Sequence, residues 1–132
     1  AWMLSALSDT IKACAAACWM TTTDVQMTWK YGRKESGGFA NCIPALRQYL
    51  DYPHIAGIAC PKPTLFINGT KDKLFMTPGV EKAFKIMRDI WKSQNAGDCL
   101  YTELWPITHS CGVKVQNRIL EFLNKHLSQA NK

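Results

Sequence analysis

Two residues stand where a catalytic acid and base would stand. Asp72 ends the turn Asn68-Gly69-Thr70-Lys71-Asp72, directly after the apolar run Thr64-Leu65-Phe66-Ile67, and His109 follows a second strand-like run, Leu100 to Trp105. A carboxylate in the first place can accept the imidazole Nδ1–H, which fixes the tautomer and leaves Nε2 free to take a proton from a nucleophile. Open α/β sheets gather their reactive groups outside the carboxyl ends of the strands, and both residues fall there. Singly, each has a plainer reading: Asp72 as a turn residue whose side chain satisfies nearby backbone N–H groups, and His109 as an ordinary loop histidine. The matched strand context and the order acid then base favour the pair. No Gly-x-Ser-x-Gly turn occurs in the 132 residues. The acid and base are therefore expected without their nucleophile.

The elements that must position this pair read as follows. Trp2 to Leu7 is apolar on nearly every side and ends at Ser8-Asp9, which predicts a buried helix. Ile11 to Met20 is a short apolar run that fits either a helix or a strand buried on both faces; its brevity and its Trp-Met-Thr-Thr-Thr ending favour strand. From Thr21 to Ala59 the chain loosens into turn-forming residues, with short helical pieces expected at Val25 to Tyr31 and at Ile43 to Leu50. An excursion of that length in a compact domain reads as a lid or specificity element. Thr64 to Asn68 is apolar without alternation, as a parallel strand covered on both faces requires. Thr77 is placed as the N-cap of a helix Pro78 to Ser93 that Asn95-Ala96-Gly97 stops. Leu100 to Trp105 is the next strand. Val113 to Leu127 is the closing helix, with Val113, Gln116, Leu120, Leu123 and Leu127 on one face. Strand and helix alternating in this way predict an α/β fold with a short parallel sheet of about three strands flanked by helices.

With those residues in view, a resemblance can be named. Asp51-Tyr52-Pro53-His54-Ile55-Ala56 and Ala59-Cys60-Pro61-Lys62-Pro63-Thr64-Leu65-Phe66-Ile67-Asn68-Gly69-Thr70-Lys71-Asp72 resemble the segment before the catalytic aspartate in α/β-hydrolases of the dienelactone-hydrolase and acetylxylan-esterase-like group. His109 to Leu127 is similar to that group's histidine loop and last helix, and Ala1 to Asp9 to the helix that begins at its nucleophile turn. The resemblance implies a partial α/β-hydrolase fold, the carboxyl-terminal part of a single domain spanning 1–132, with Asp72 as triad acid and His109 as base. It implies a serine esterase as the parent activity, with the serine and oxyanion-hole residues outside these 132 positions, so the chain alone is expected to be a very poor catalyst.

Ser110 lies in Thr108-His109-Ser110-Cys111-Gly112, which differs from a nucleophile turn only at its first glycine. In this fold the acid and base follow the nucleophile, and after Ser110 only Glu121 and His126 remain, both on the closing helix. Ser110 and Cys111 are rejected on that ground. His126 reads as a solvated helix-end residue and His54 as a surface or packing residue.

Composition bounds the alternatives. With 47% hydrophobic residues the chain can build one core. Its longest apolar stretches fall short of the ~20 residues that cross a bilayer, and its start lacks the basic residues of a signal peptide, so a soluble, non-membrane protein is expected. The net charge of +6 raises nucleic acid as a partner. Lys82, Lys85, Arg88 and Lys92 nevertheless share one helix face opposite Val80, Phe84, Met87 and Trp91, as the solvated side of an amphipathic helix does, so a small basic binding domain is disfavoured and no nucleic acid is expected. The six cysteines contain no Cys-x-x-Cys pair. Neither a metal nor another cofactor is expected, and Cys14, Cys18 and Cys60 read as small buried hydrophobes, with one disulfide left open. This usage leans toward a reducing, cytoplasmic setting. The expected partners are an ester substrate and, against the exposed edge of the first strand, the remainder of the domain or another copy of the chain.

Overall fold

The computed structural model describes residues 1–28, 30, 43 and 45–128. In chain order the elements are α1 (Trp2–Leu7), β1 (Cys14–Ala17), α2 (Thr23–Gln26), α3 (Tyr52–Gly57), β2 (Thr64–Gly69), α4 (Thr77–Ser93), β3 (Leu100–Trp105) and α5 (Val113–Leu127), with single 3-10 turns at Leu46–Gln48 and Gly97–Cys99. The three strands form one parallel sheet in the order β1-β2-β3, with Cys14 opposite Thr64 and Thr64 opposite Leu100. This is the α/β architecture the alternation of elements called for.

Burial follows the order of the strands. Every residue of the central strand β2 is buried, whereas β1 alternates between buried and half-buried and β3 is half-buried throughout. One face of the sheet packs Cys14, Ala16 and Phe66 against Trp2, Tyr52, Val80, Phe84, Met87 and Trp91 from α1, α3 and α4. The other face packs Leu65 and Ile67 against Val115 and Phe122 of α5. On α4 the expected division holds: Val80, Phe84, Met87 and Trp91 are buried, and the four cations lie outward. Lys82 pairs with Asp24, Lys85 with Asp89, and Arg88 donates to Thr102 Oγ1 on β3 at 2.8 Å.

Four expectations are corrected. First, α5 buries Val115 and Phe122 and half-buries Ile119 and, of the expected face, Leu123, while Val113, Leu120 and Leu127 are 71%, 57% and 43% exposed. Two apolar stripes share that helix, and the one carrying the aromatic ring fills the space over β2. Second, α1 buries Trp2 and Ala6 but leaves Leu4 and Leu7 exposed, so it is one-sided. Third, Thr77 is the first residue of α4. The N-cap is Met76 in extended conformation with no side-chain cap, which places Pro78 in the first turn, where its missing N–H costs nothing. Fourth, among the described residues of the stretch from Ile43 to Leu50 the turn Leu46–Gln48 is the only helical piece, with Ile43, Tyr49 and Leu50 exposed, so little burial supports a longer helix. The helical piece expected at Val25 to Tyr31 is α2, displaced toward its start, and Tyr31 lies outside the described residues, as do Ser36-Gly37-Gly38 and Cys42.

Two polar clusters tie elements together. Asp51 caps α3: its carboxylate accepts from Tyr52 N at 2.7 Å and from Thr23 N at 2.9 Å, while His54 Nδ1 accepts from Asp51 N at 3.0 Å. His54 is thus the return half of a capping box. Lys62 donates to Ser5 O at 2.9 Å and Ser8 O at 2.7 Å, satisfying carbonyls at the end of α1.

Candidate functional site

The carboxyl ends of the three strands converge. After β2 the chain turns at Gly69, and the turn is laced to the loop after β3: Thr70 N donates to Trp105 O at 2.8 Å and Lys71 N to Ile107 O at 3.0 Å. The two backbones approach so closely that a Cβ on Gly69 would overlap the Ile107 carbonyl oxygen, which is why glycine stands there. This lacing sets the distance between the residues that follow on each side.

Those residues are Asp72 and His109, with His109 Nδ1 2.9 Å from Asp72 Oδ2. The Asp72 side chain is fully buried and that of His109 is 42% exposed. Asp72 Oδ1 accepts from Leu74 N at 2.8 Å and Phe75 N at 3.3 Å. Both readings of Asp72 are therefore realised at once: one oxygen closes a turn and the other faces the imidazole. With the turn holding the carboxylate, the Nδ1–H tautomer is the one it favours. Nε2 forms no hydrogen bond among the described residues. Phe75 lies beneath the imidazole, ring centroids 5.8 Å apart, and is itself packed on Trp19, which contacts Trp2 and Tyr52. An aromatic floor thus runs from the edge of β1 to His109.

Cys18 joins this site, although the sequence reading placed it among buried hydrophobes. It follows β1 as Asp72 follows β2 and His109 follows β3. Its backbone is left-handed, with φ 53°, and its thiol is directed to Ser110 O at 3.3 Å. Sγ, an Asp72 carboxylate oxygen and a His109 ring nitrogen all lie within 4.8 Å of one another. Burial, with the Asp72 carboxylate and Cys111 adding to it, raises the Cys18 thiol above its ordinary range. The available signal was positional: Cys18 sits just past a strand of the same sheet. Among the described residues Cys14, Cys18, Cys60, Cys99 and Cys111 are free thiols, Cys60 being only half-buried.

Of the remaining candidates, Ser110 contributes a carbonyl to Cys18, and Cys111 is exposed. His126 is not a solvated residue. It packs on Phe122 and Tyr101, with centroids at 4.7 and 5.6 Å, and burial, then Lys125, lower its pKa.

Two of the concavities among the described residues lie away from the pair. One of about 230 Å³ is walled by Met27, Leu46, Leu50 and Tyr52. The other, about 380 Å³, runs along the outer edge of β1 between Trp2, Ala15, Ala17 and Trp19. Neither includes Asp72 or His109. Among the described residues no helix is long and apolar enough to cross a membrane.

No family model matches the sequence, and no curated protein matches it. Among solved structures, Methylesterase BT1017 matches with a TM-score of 0.50 and 20% identity, over 58% of this chain and 17% of the methylesterase chain. The likeness is one of fold, and the chain spans only a small part of that structure's length.

Proposed function

We propose that the chain is the carboxyl-terminal part of a serine hydrolase acting on carboxylic esters, of the dienelactone-hydrolase and acetylxylan-esterase-like group, with Asp72 as the acid and His109 as the base. The observation that carries this reading is the 2.9 Å contact between Asp72 Oδ2 and His109 Nδ1 at the ends of consecutive parallel strands, with Nε2 unpaired among the described residues. In the intact enzyme His109 Nε2 takes the proton of the attacking serine and returns it to the departing alcohol, and Asp72 stabilises the imidazolium formed between the two steps. A water activated by the same nitrogen then releases the acyl group. The segment 21–59 would shape the substrate pocket.

Hydrolysis of p-nitrophenyl acetate tests it. The chain alone should be slower than an intact triad by on the order of a millionfold. A longer protein that carries a Gly-x-Ser-x-Gly turn ahead of Ala1 should hydrolyse the ester and lose that activity in His109→Ala. Robust turnover by the 132-residue chain that survives His109→Ala would refute the assignment.

A second reading, a non-catalytic hydrolase-like domain that binds or assembles, draws support from the outer edge of β1. Among the described residues that strand pairs only with β2, and the 380 Å³ groove beside it is lined by Trp2, Met3 and Trp19. An unpaired strand edge flanked by apolar side chains favours pairing with another chain or with the rest of a sheet. Light scattering at micromolar concentration should show an oligomer of the isolated chain; a stable monomer would remove this reading.

A further inference from the structure

Three strand ends bring together three donor atoms of different chemistry. Cys18 Sγ, Asp72 Oδ and a His109 ring nitrogen lie within 4.8 Å of one another. Cys18 and Asp72 are buried, and His109 opens the group to solvent. A Zn²⁺ ion holding sulfur, nitrogen and oxygen at about 2.0–2.3 Å sets its ligand atoms roughly 3.5 Å from one another, so His109 Nδ1 and Asp72 Oδ2, now 2.9 Å apart, part by about half an ångström while Cys18 Sγ draws inward by about an ångström.

We propose that Cys18, Asp72 and His109 form a binding site for a thiophilic divalent cation of the Zn²⁺ class, with water as the fourth ligand. The donor set selects the ion: a thiolate and an imidazole suit Zn²⁺ or Cd²⁺, whereas Mg²⁺ and Ca²⁺ require a shell of oxygens that a single carboxylate does not supply. Charge supports the same choice. One thiolate and one carboxylate balance a divalent ion, leaving the buried part of the site neutral, whereas a bare thiolate beside Asp72 would place two negative charges together. The proton balance is explicit. The thiol proton leaves to solvent, and the imidazole proton moves from Nδ1, the nitrogen facing Asp72, to Nε2, so each cation bound releases one proton. Binding does not depend on the esterase reading. If that reading holds, the cation takes the Asp72 lone pair that orients the imidazole and leaves Nε2 protonated, unable to accept a proton, so the occupied site is switched off.

Co²⁺ added to the reduced, metal-free chain tests the site. The expected result is one equivalent bound, with a thiolate-to-cobalt charge-transfer band, strong visible bands of tetrahedral coordination, and displacement by Zn²⁺. Cys18→Ser should abolish the charge-transfer band, His109→Ala should abolish the tetrahedral bands, and the exposed-thiol variant Cys111→Ser should leave both. Circular dichroism establishes that each variant folds; if Cys18→Ser does not, His109→Ala, at an exposed side chain, decides. Absence of a tetrahedral spectrum in the unsubstituted chain, or its persistence in His109→Ala, overturns the proposal. Neither outcome bears on ester hydrolysis, which is read separately with p-nitrophenyl acetate.

Discussion

Replacing Asp72 separates its two tasks, because they fall on different oxygens. In Asp72→Ala the N–H groups of Leu74 and Phe75, bonded to Oδ1 at 2.8 and 3.3 Å, lose their acceptor. Leaving a buried donor unpaired costs about 1–3 kcal/mol. Phe75 is buried and Leu74 half-buried, so the sum should be about 2–4 kcal/mol, read as a lowered urea midpoint at constant slope. Asp72→Asn keeps an oxygen for those two donors and should cost only about 1 kcal/mol, the typical worth of one hydrogen bond. Its amide then faces His109 as a donor, so Nδ1 must accept and the proton must sit on Nε2. Imidazole ¹⁵N spectra should therefore show the Nδ1–H tautomer in the native chain and the Nε2–H tautomer in Asp72→Asn. An unchanged tautomer would refute the claim that Asp72 orients His109, and equal stability losses in the two variants would refute the division between the oxygens.

Other perturbations test the packing. Phe122→Ala should cost about 3–5 kcal/mol, as large-to-small changes of buried aromatics do, whereas Leu120→Ala, more than half exposed on the same helix, should stay within about 0.5 kcal/mol. Gly69→Ala forces a methyl onto the Ile107 carbonyl, so it should destabilise by about 1–3 kcal/mol or more and displace the His109 loop, visible as lost exchange protection at Thr70 and Lys71 N–H. His126 has a folded pKa below its unfolded value, so the unfolded state binds the extra proton first as pH falls. Its contribution is present above the unfolded value near 6.5 and is lost as pH falls through the folded one. Urea midpoints should therefore drop less between pH 8 and pH 5 in His126→Gln than in the native chain.

Sequence alone determined the parts of this protein whose physics is local. The uninterrupted apolar run Thr64 to Asn68 marks a strand buried on both faces, and β2 is the strand whose every residue is buried. The spacing of Val80, Phe84, Met87 and Trp91 orients α4, because only one helical face can hold all four. Asp72 and His109 were legible as candidates because each follows a strand, and consecutive parallel strands put their carboxyl ends side by side. Tertiary structure decided what local rules leave degenerate. Either stripe of α5 could have faced the sheet, and the depth of the space over Leu65 and Ile67 selected Phe122. Ile43 to Leu50 has helical spacing, but Ile43, Tyr49 and Leu50 stay exposed, and so short a helix is marginal without burial. Cys18 reads as a hydrophobe among alanines, and only the convergence of β1 with the turns after β2 and β3 sets its sulfur beside Asp72 and His109. Cys18 lies on a different strand end from Asp72 and His109, which are themselves 37 residues apart, so no short spacing marks the three donors, and the fold, not the interval between them, makes them neighbours.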